Sequence, residues 1–213
     1  MTVCEIRDGI VVEIQGPLQQ QSHWLRHKFY EEPMLRYIRQ TYHGGTFIDG
    51  GACIGNHTLW FARYCTDRVI AIEPVARNMK HAQMNVELSG LQNRVLFIQA
   101  ALGDKPGRGA MEHAGKYHGQ YNLIDGDDVD IITLDSLIPL IEYPVTVIKL
   151  DIQWSEVQAL HGALAMLEGY KPALFLELMS KVEIDGALAV LKPFGYVMKQ
   201  RFNKSPTYEF VSK

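Results

Sequence analysis

The chain has 213 residues, 47% hydrophobic and 21% charged, and its 21 Lys+Arg against 24 Asp+Glu leave a formal net charge of −3. That length suits one domain, the composition excludes intrinsic disorder, and the slight acidity argues against a protein that works by neutralising phosphate backbones. Glu142, Lys149, Glu168 and Lys171 interrupt the apolar regions, so no run reaches the length of about 18 residues that a membrane span needs.

Three cysteines, Cys4, Cys53 and Cys65, lack CxxC spacing, which argues against a disulfide framework or a zinc cage. The first residues, MTVCEIRDG, hold no basic stretch ahead of an apolar one. No secretory leader and a cytoplasmic location are therefore expected.

In chain order, residues 3–14 (VCEIRDGIVVEI) alternate apolar and polar about Asp8-Gly9, the pattern of a tight hairpin. Residues 22–42 read as one helix, with Ser22 as N-cap, an apolar stripe of Trp24, Phe29, Leu35 and Ile38, and Gly44-Gly45 as the stop. Residues 1–44 are thus expected to extend a main domain of residues 45–213.

From residue 46 short apolar runs alternate with amphipathic ones. Strands are expected at 46–49, 68–73, 94–99, 129–134, 145–150 and 173–178, and helices at 55–65, 75–89, 154–167 and 180–191. Strands without polar alternation, separated by helices, are what a parallel sheet covered on both faces requires. The closing runs FGYVMKQRF and TYEFVSK flank residues 203–206 as an antiparallel hairpin. The expected class is α/β: a Rossmann-like three-layer α/β/α sandwich whose seven-stranded, mostly parallel sheet ends in that antiparallel edge hairpin. Residues 103–128 read as one long irregular loop over the sheet's mouth.

The sharpest local feature is FIDGGACIGNHT, residues 47–58, at the step from a buried strand to a helix. Glycines at 50, 51 and 55 allow a tight turn and close approach of a ligand. A dinucleotide turn would read GxGxxG. Asp49 at the strand tip opposes a pyrophosphate but suits a cofactor bearing an ammonium and a sulfonium. S-adenosyl-L-methionine carries both. Asp49, Gly51, Ile54, Gly55 and Asn56 are therefore expected around its amino-acid end. The next strand ends in Glu73, 22 residues after Gly51, where an acid can accept from both ribose hydroxyls. Pro74 follows it. Ala101, Leu102 and Asp104, after the third strand, are expected beside the adenine.

These blocks, with AALGD, ITLDSL, VIKLDIQWSEVQALHGA and LFLEL after them and FYEEPMLRYI before, resemble the FkbM family of class I S-adenosylmethionine-dependent methyltransferases from about residue 29 to about 200. The resemblance implies that fold and O-methylation of a hydroxyl on a sugar or secondary metabolite. There is one departure. The family's I-K-x-D-x-E-G-x-E is matched at Ile148, Lys149, Asp151 and Glu156, but Gln153-Trp154 stands where Glu-Gly is usual.

Methyl transfer from a sulfonium needs a positioned nucleophile and, for a hydroxyl, a proton acceptor. Asp151 at a strand tip is the leading candidate, with Glu177 and His161 next; Glu156 is also within reach, though on a helix. Glu177 is equally placed to pair with Lys149. Trp154 can stack on a sugar face or planar ring, with Gln153 beside it. Tyr117, His118 and Tyr121 in KYHGQYN are expected to reach the acceptor from the loop. No HxxxH-like spacing supports a metal. The expected partner is a small-molecule or glycan acceptor, with nucleic acid disfavoured. Three other readings stay open: N-methylation of a nucleobase or other amine, a nucleotide-binding oxidoreductase with a degenerate Rossmann turn, and a cofactor-binding homologue without catalysis.

Overall fold

A computed structural model describes residues 2–14, 19–114 and 121–213. Strands β1 (Thr2–Arg7) and β2 (Ile10–Ile14) form the expected hairpin about Asp8-Gly9. Next come α1 (Gln19–Trp24) and α2 (Glu32–Thr41). The single helix expected over 22–42 is thus two. Three features break it: left-handed φ of 57° at both His27 and Glu31, Pro33 in the first turn of α2, and the anchoring of Trp24 and Phe29 in the core.

The main body alternates β3 (Thr46–Gly50), α3 (Asn56–Tyr64), β4 (Arg68–Ile72), α4 (Ala76–Leu88) and β5 (Val95–Ile98). A small sheet of β6 (Ala101–Leu102), β7 (Gly107–His113) and β8 (Tyr121–Ile132) interrupts it. Then follow β9 (Val145–Leu150), α5 (Glu156–His161), α6 (Leu164–Tyr170), β10 (Ala173–Glu177), α7 (Lys181–Leu191), β11 (Tyr196–Phe202) and β12 (Thr207–Ser212).

The main sheet has seven strands in the order β11-β12-β10-β9-β3-β4-β5. β10, β9, β3, β4 and β5 pair in parallel, while β12 runs antiparallel to both neighbours. Within the C-terminal hairpin the reversed strand is therefore second from the edge, and β11 is outermost. The period-2 alternation of a strand sends neighbouring residues to opposite faces. Phe47, Val69, Val147 and Phe175 pack into one core with α2 and α3, whereas Ile48, Ile70, Ile148 and Leu174 pack into the other with α5, α6 and α7. Each such side chain contributes about 1.5–3 kcal/mol by leaving water, so runs that are apolar at every position are stable only between two covered faces.

Two expectations need correcting. Residues 129–134 do not form a strand of the main sheet, and 103–128 is not an irregular loop. Residues 107–113 and 121–132 pair antiparallel, with Ile131 and Ile132 bonded across to Ala101 and Leu102. The cause is the acidic alternation of YNLIDGDDVDII: Asp125, Asp127, Asp128 and Asp130 are exposed, and a strand so charged cannot be covered on both faces.

The N-terminal elements are fastened to the body by polar contacts. The Glu13 N–H donates to Asn85 Oδ1 (2.7 Å), and His81 Nε2 lies 3.0 Å from the Glu13 carbonyl. At the far side, buried Glu209 on β12 accepts from the hydroxyls of Tyr42 (2.5 Å) and Tyr37 (3.1 Å). No helix among the described residues is long and apolar enough to cross a membrane.

Candidate active site

A cavity of about 910 Å³ opens at the carboxyl ends of β3, β4, β9 and β10. That volume is at the upper end for one small ligand, enough for a cofactor and an acceptor together. One wall is the turn after β3. Gly51 adopts φ 76°, and its N–H and that of Ala52 bond to the Ile72 carbonyl at 2.9 and 3.0 Å. A Cβ at Gly51 would stand 1.9 Å from the Asp151 carbonyl oxygen, so the turn and the tip of β9 are in direct contact. Gly51→Ala should thus cost at least about 1–3 kcal/mol of stability from backbone strain alone and remove ligand binding at the turn. A thermal melt and calorimetry check this; an unshifted melt would refute the contact.

Asp49 lies under the turn and does not line the cavity. It is 0% exposed, accepts from Thr58 Oγ1 at 2.6 Å and pairs with Lys149 Nζ at 3.2 Å. The parallel register sets Asp49 opposite Lys149. Burial opposes the charged form, yet the Lys149 ammonium, His57 and the Thr58 hydroxyl together hold Asp49 below the usual carboxylate range. Lys149 also donates to the carbonyls of Gly50 and Gly51, each at 3.3 Å. The expected Glu177–Lys149 pair is therefore replaced by Asp49–Lys149, because the two strands share a register and face. Ile54 and Gly55 are buried behind the turn, also away from the cavity.

Glu73 does line the cavity. Its Oε2 accepts from the Cys53 N–H and its Oε1 from the Val75 N–H, both at 2.9 Å, and burial raises its pKa against those bonds. Beside it, Ile72, Pro74, Ala101 and Leu102 form an apolar slot. Asp104 is not part of that slot. The Gly103 N–H bonds to the Ile132 carbonyl (3.0 Å) and leads the chain out into β7, which leaves Asp104 exposed.

Asn56 meets the cavity in a way the sequence did not suggest. Its Oδ1 accepts from Trp24 Nε1 and the Tyr30 N–H, and its Nδ2 donates to the Tyr30 carbonyl, all at 3.0 Å. Next to it, His57 Nε2 lies 3.2 Å from Glu31 Oε2. The first two side chains of α3 thus hold residues 24–31 across the cavity, where Leu25 and Tyr30 become lining residues.

Asp151 and Glu177 meet at the tips of β9 and β10. Asp151 Oδ1 accepts from Gln153 Nε2 (3.2 Å), and its Oδ2 lies 4.0 Å from Lys149. Burial, and then the charge of Asp151 beside it, push the Glu177 carboxyl well above the usual range. Behind them Glu156 is 1% exposed; its Oε1 accepts from the Ile152 N–H (2.7 Å), and burial pushes its pKa up to about 8. His161 does not belong to this group. It is exposed on the last turn of α5, whose inward face is Glu156, Ala159 and Leu160. Trp154 stands on the rim, 56% exposed, and both it and Gln153 have left-handed φ, 75° and 56°. Tyr121 lines the opposite wall; Tyr117 and His118 lie outside the described residues. Among the described residues no group of three or more His, Cys, Asp or Glu could hold a metal ion.

A family model described as "Methyltransferase FkbM domain" matches residues 49–198, from the acid under the turn to β11. The chain belongs to the FkbM methyltransferase family. Among solved structures it is similar to methyltransferase FkbM from Methylobacillus flagellatus KT (19% identity, TM-score 0.58), covering 79% of this chain but 43% of that one. It spans, then, less than half of that protein's length. It is also similar to a SAM-dependent O-methyltransferase from Thermotoga maritima (15% identity, TM-score 0.54, 85% of this chain and 64% of that one). A third likeness is the O-methyltransferase from Bacillus cereus in complex with SAH (15% identity, TM-score 0.52, 86% and 80%). No curated protein matches the chain. At these identities the structures show the fold of class I S-adenosylmethionine-dependent methyltransferases.

Within the FkbM frame the departure at 153–154 gains a physical meaning. A glycine takes φ near 75° without strain, whereas tryptophan at that angle costs about 1–3 kcal/mol. Sequence reading missed the Asn56 clamp, Glu31, Tyr30 and the Asp49–Lys149 pair. The one local signal was Tyr30-Glu31-Glu32-Pro33, acids packed against a helix-starting proline.

Proposed function

We propose that this chain transfers the methyl group of S-adenosylmethionine to a hydroxyl of a sugar or another small hydroxylated metabolite. The observation that carries the reading is the Asp151–Glu177 carboxyl pair, which faces the same cavity as the glycine turn and Glu73. The residues fit the cofactor. Glu73 lines the cavity, and its Oε2 accepts one hydrogen bond, from the Cys53 N–H, which leaves that oxygen able to accept from a ribose hydroxyl. Ile72, Ala101 and Leu102 offer the adenine an apolar slot, and Gly51 lets a ligand approach the main chain. Asp49 then acts through Lys149 and the turn carbonyls, fixing the shape of the seat.

S-adenosylmethionine, when bound, supplies a methyl group on a positively charged sulfonium. The protein's own part is to place the acceptor and take a proton. Asp151 orients the acceptor hydroxyl and accepts its proton. Glu177, which stays protonated at neutral pH, donates to Asp151 so that the pair shares one proton. Trp154 covers the acceptor's face from the rim, and Gln153 holds the Asp151 carboxylate in place.

Two measurements test this. Glu73→Gln keeps the shape but removes the charge; since hydrogen bonds to charged groups contribute about 1.5–3 kcal/mol, affinity for S-adenosylmethionine should fall about tenfold or more in calorimetry. An unchanged affinity would remove Glu73 from the ribose. A labelled-methyl screen over glycan and hydroxylated small-molecule pools should then yield a methyl ether. A methylated nitrogen as the sole product would overturn the hydroxyl reading.

A further inference from the structure

The acceptor end of the cavity holds more carboxyl groups than a neutral hydroxyl requires. Asp151, Glu156 and Glu177 line it from three different elements, and Glu31 lies close enough behind to act on Glu177. Cations do not balance them. Among the described lining residues Lys149 is held by Asp49 and two carbonyls and lies 4.0 Å from Asp151, so it does not reach Glu156 or Glu177, and Lys204 is exposed at the mouth. His57 is held by Glu31.

A second observation is independent of that charge count. Glu156 is 1% exposed and lines the cavity, and its Oε2 has no hydrogen-bond partner among the described residues. A buried polar atom without a partner in the protein is open to one from outside it, a water or a bound group. Tyr30 and Trp154 line the same cavity, and aromatic rings can attract cations.

We propose that the acceptor carries an ammonium group beside its hydroxyl, as an amino sugar or amino alcohol does, and that Glu156 holds that ammonium next to the Asp151–Glu177 pair while Asp151 addresses the hydroxyl. The inference rests on the hydroxyl reading above and narrows it. Burial raises the pKa of the Glu156 carboxyl, so a bound cation draws it into the ionised form, and the proton lost goes to solvent. Ammonium binding should therefore release protons, which binding of a neutral acceptor does not.

The test uses the full chain loaded with S-adenosylhomocysteine and two matched pairs: glucosamine against glucose, and trans-2-aminocyclohexanol against trans-1,2-cyclohexanediol. Calorimetry at neutral pH, in two buffers of different ionisation heat, should show at least one amine bound tenfold or more tighter than its neutral partner, with proton release. Glu156→Gln should cut that preference at least fivefold and keep the affinity for S-adenosylhomocysteine, which shows that the variant folds. No preference in either pair, including no binding by either amine, overturns the proposal. With S-adenosylmethionine in place of S-adenosylhomocysteine, the position of the transferred methyl group separates the two readings. Methyl on nitrogen removes the hydroxyl reading and leaves the ammonium site, whereas equal methylation of neutral and amino acceptors on oxygen removes only the ammonium site.

Discussion

Asp151→Asn should lower turnover by about 10²–10⁴-fold, the usual contribution of a positioned general base, while affinity for S-adenosylmethionine stays within a few fold. The same substitution should make the folded protein more stable at alkaline pH. The sign follows from Glu177, whose folded pKa is raised above its ordinary value of 4.5, by burial first and then by the charge of Asp151. A carboxyl raised in the folded state binds protons more tightly there than in the unfolded chain. Stability therefore falls as pH rises from the unfolded pKa toward the folded one. Glu156, pushed from 4.5 to about 8, adds to the same slope. Removing the Asp151 charge lowers the folded pKa of Glu177 and flattens the slope. Labelled-methyl assays and thermal melts across the neutral to alkaline range measure the two effects. Should cofactor affinity fall in proportion to turnover, Asp151 is a cofactor ligand and not the proton acceptor.

Lys149→Met should cost about 3–5 kcal/mol, because it leaves Asp49 charged and fully buried without its partner. Against a total stability of about 5–15 kcal/mol for a domain, that loss is a large fraction of the whole. Lys149 also fastens the Gly50 and Gly51 carbonyls, so any folded fraction should bind cofactor poorly. Changing both members, Lys149→Met with Asp49→Leu, should recover most of the lost stability, since apolar replacement of a whole buried pair is often close to neutral. Urea denaturation of the parent, single and double variants decides it. A single variant losing under about 1 kcal/mol would mean that water reaches the pair.

Much of the main sheet was legible from residue order. The runs TFID, RVIAI, VTVIKL and ALFLE carry apolar residues on both faces of the strand without polar alternation, and each became a parallel strand within a residue or two of its expected bounds. The turn at Gly51 and the acid at Glu73 were legible for a similar reason: a left-handed glycine and a strand-tip carboxylate are local features, and both line the cavity. Asp104 and His161 were read as site residues from proximity in sequence alone. The path of the chain through β6 and the rotation of α5 turned them to solvent.

Residue order carries the succession of strands and helices, the glycine turn, the acids at the strand tips and the family, because these depend on neighbours within a few residues or on a motif of fixed spacing. Which charges cancel and which stay open follows from long-range packing instead. Asp49 and Lys149 are 100 residues apart and become partners through strand register. Asn56 is 26 residues from Tyr30, yet clamps its main chain on both sides. Glu156, Glu177 and Asp151 come from separate elements and share one cavity. Burial and long-range pairing set the charge state and accessibility of each group, and neither quantity is a property of a residue's place in the chain.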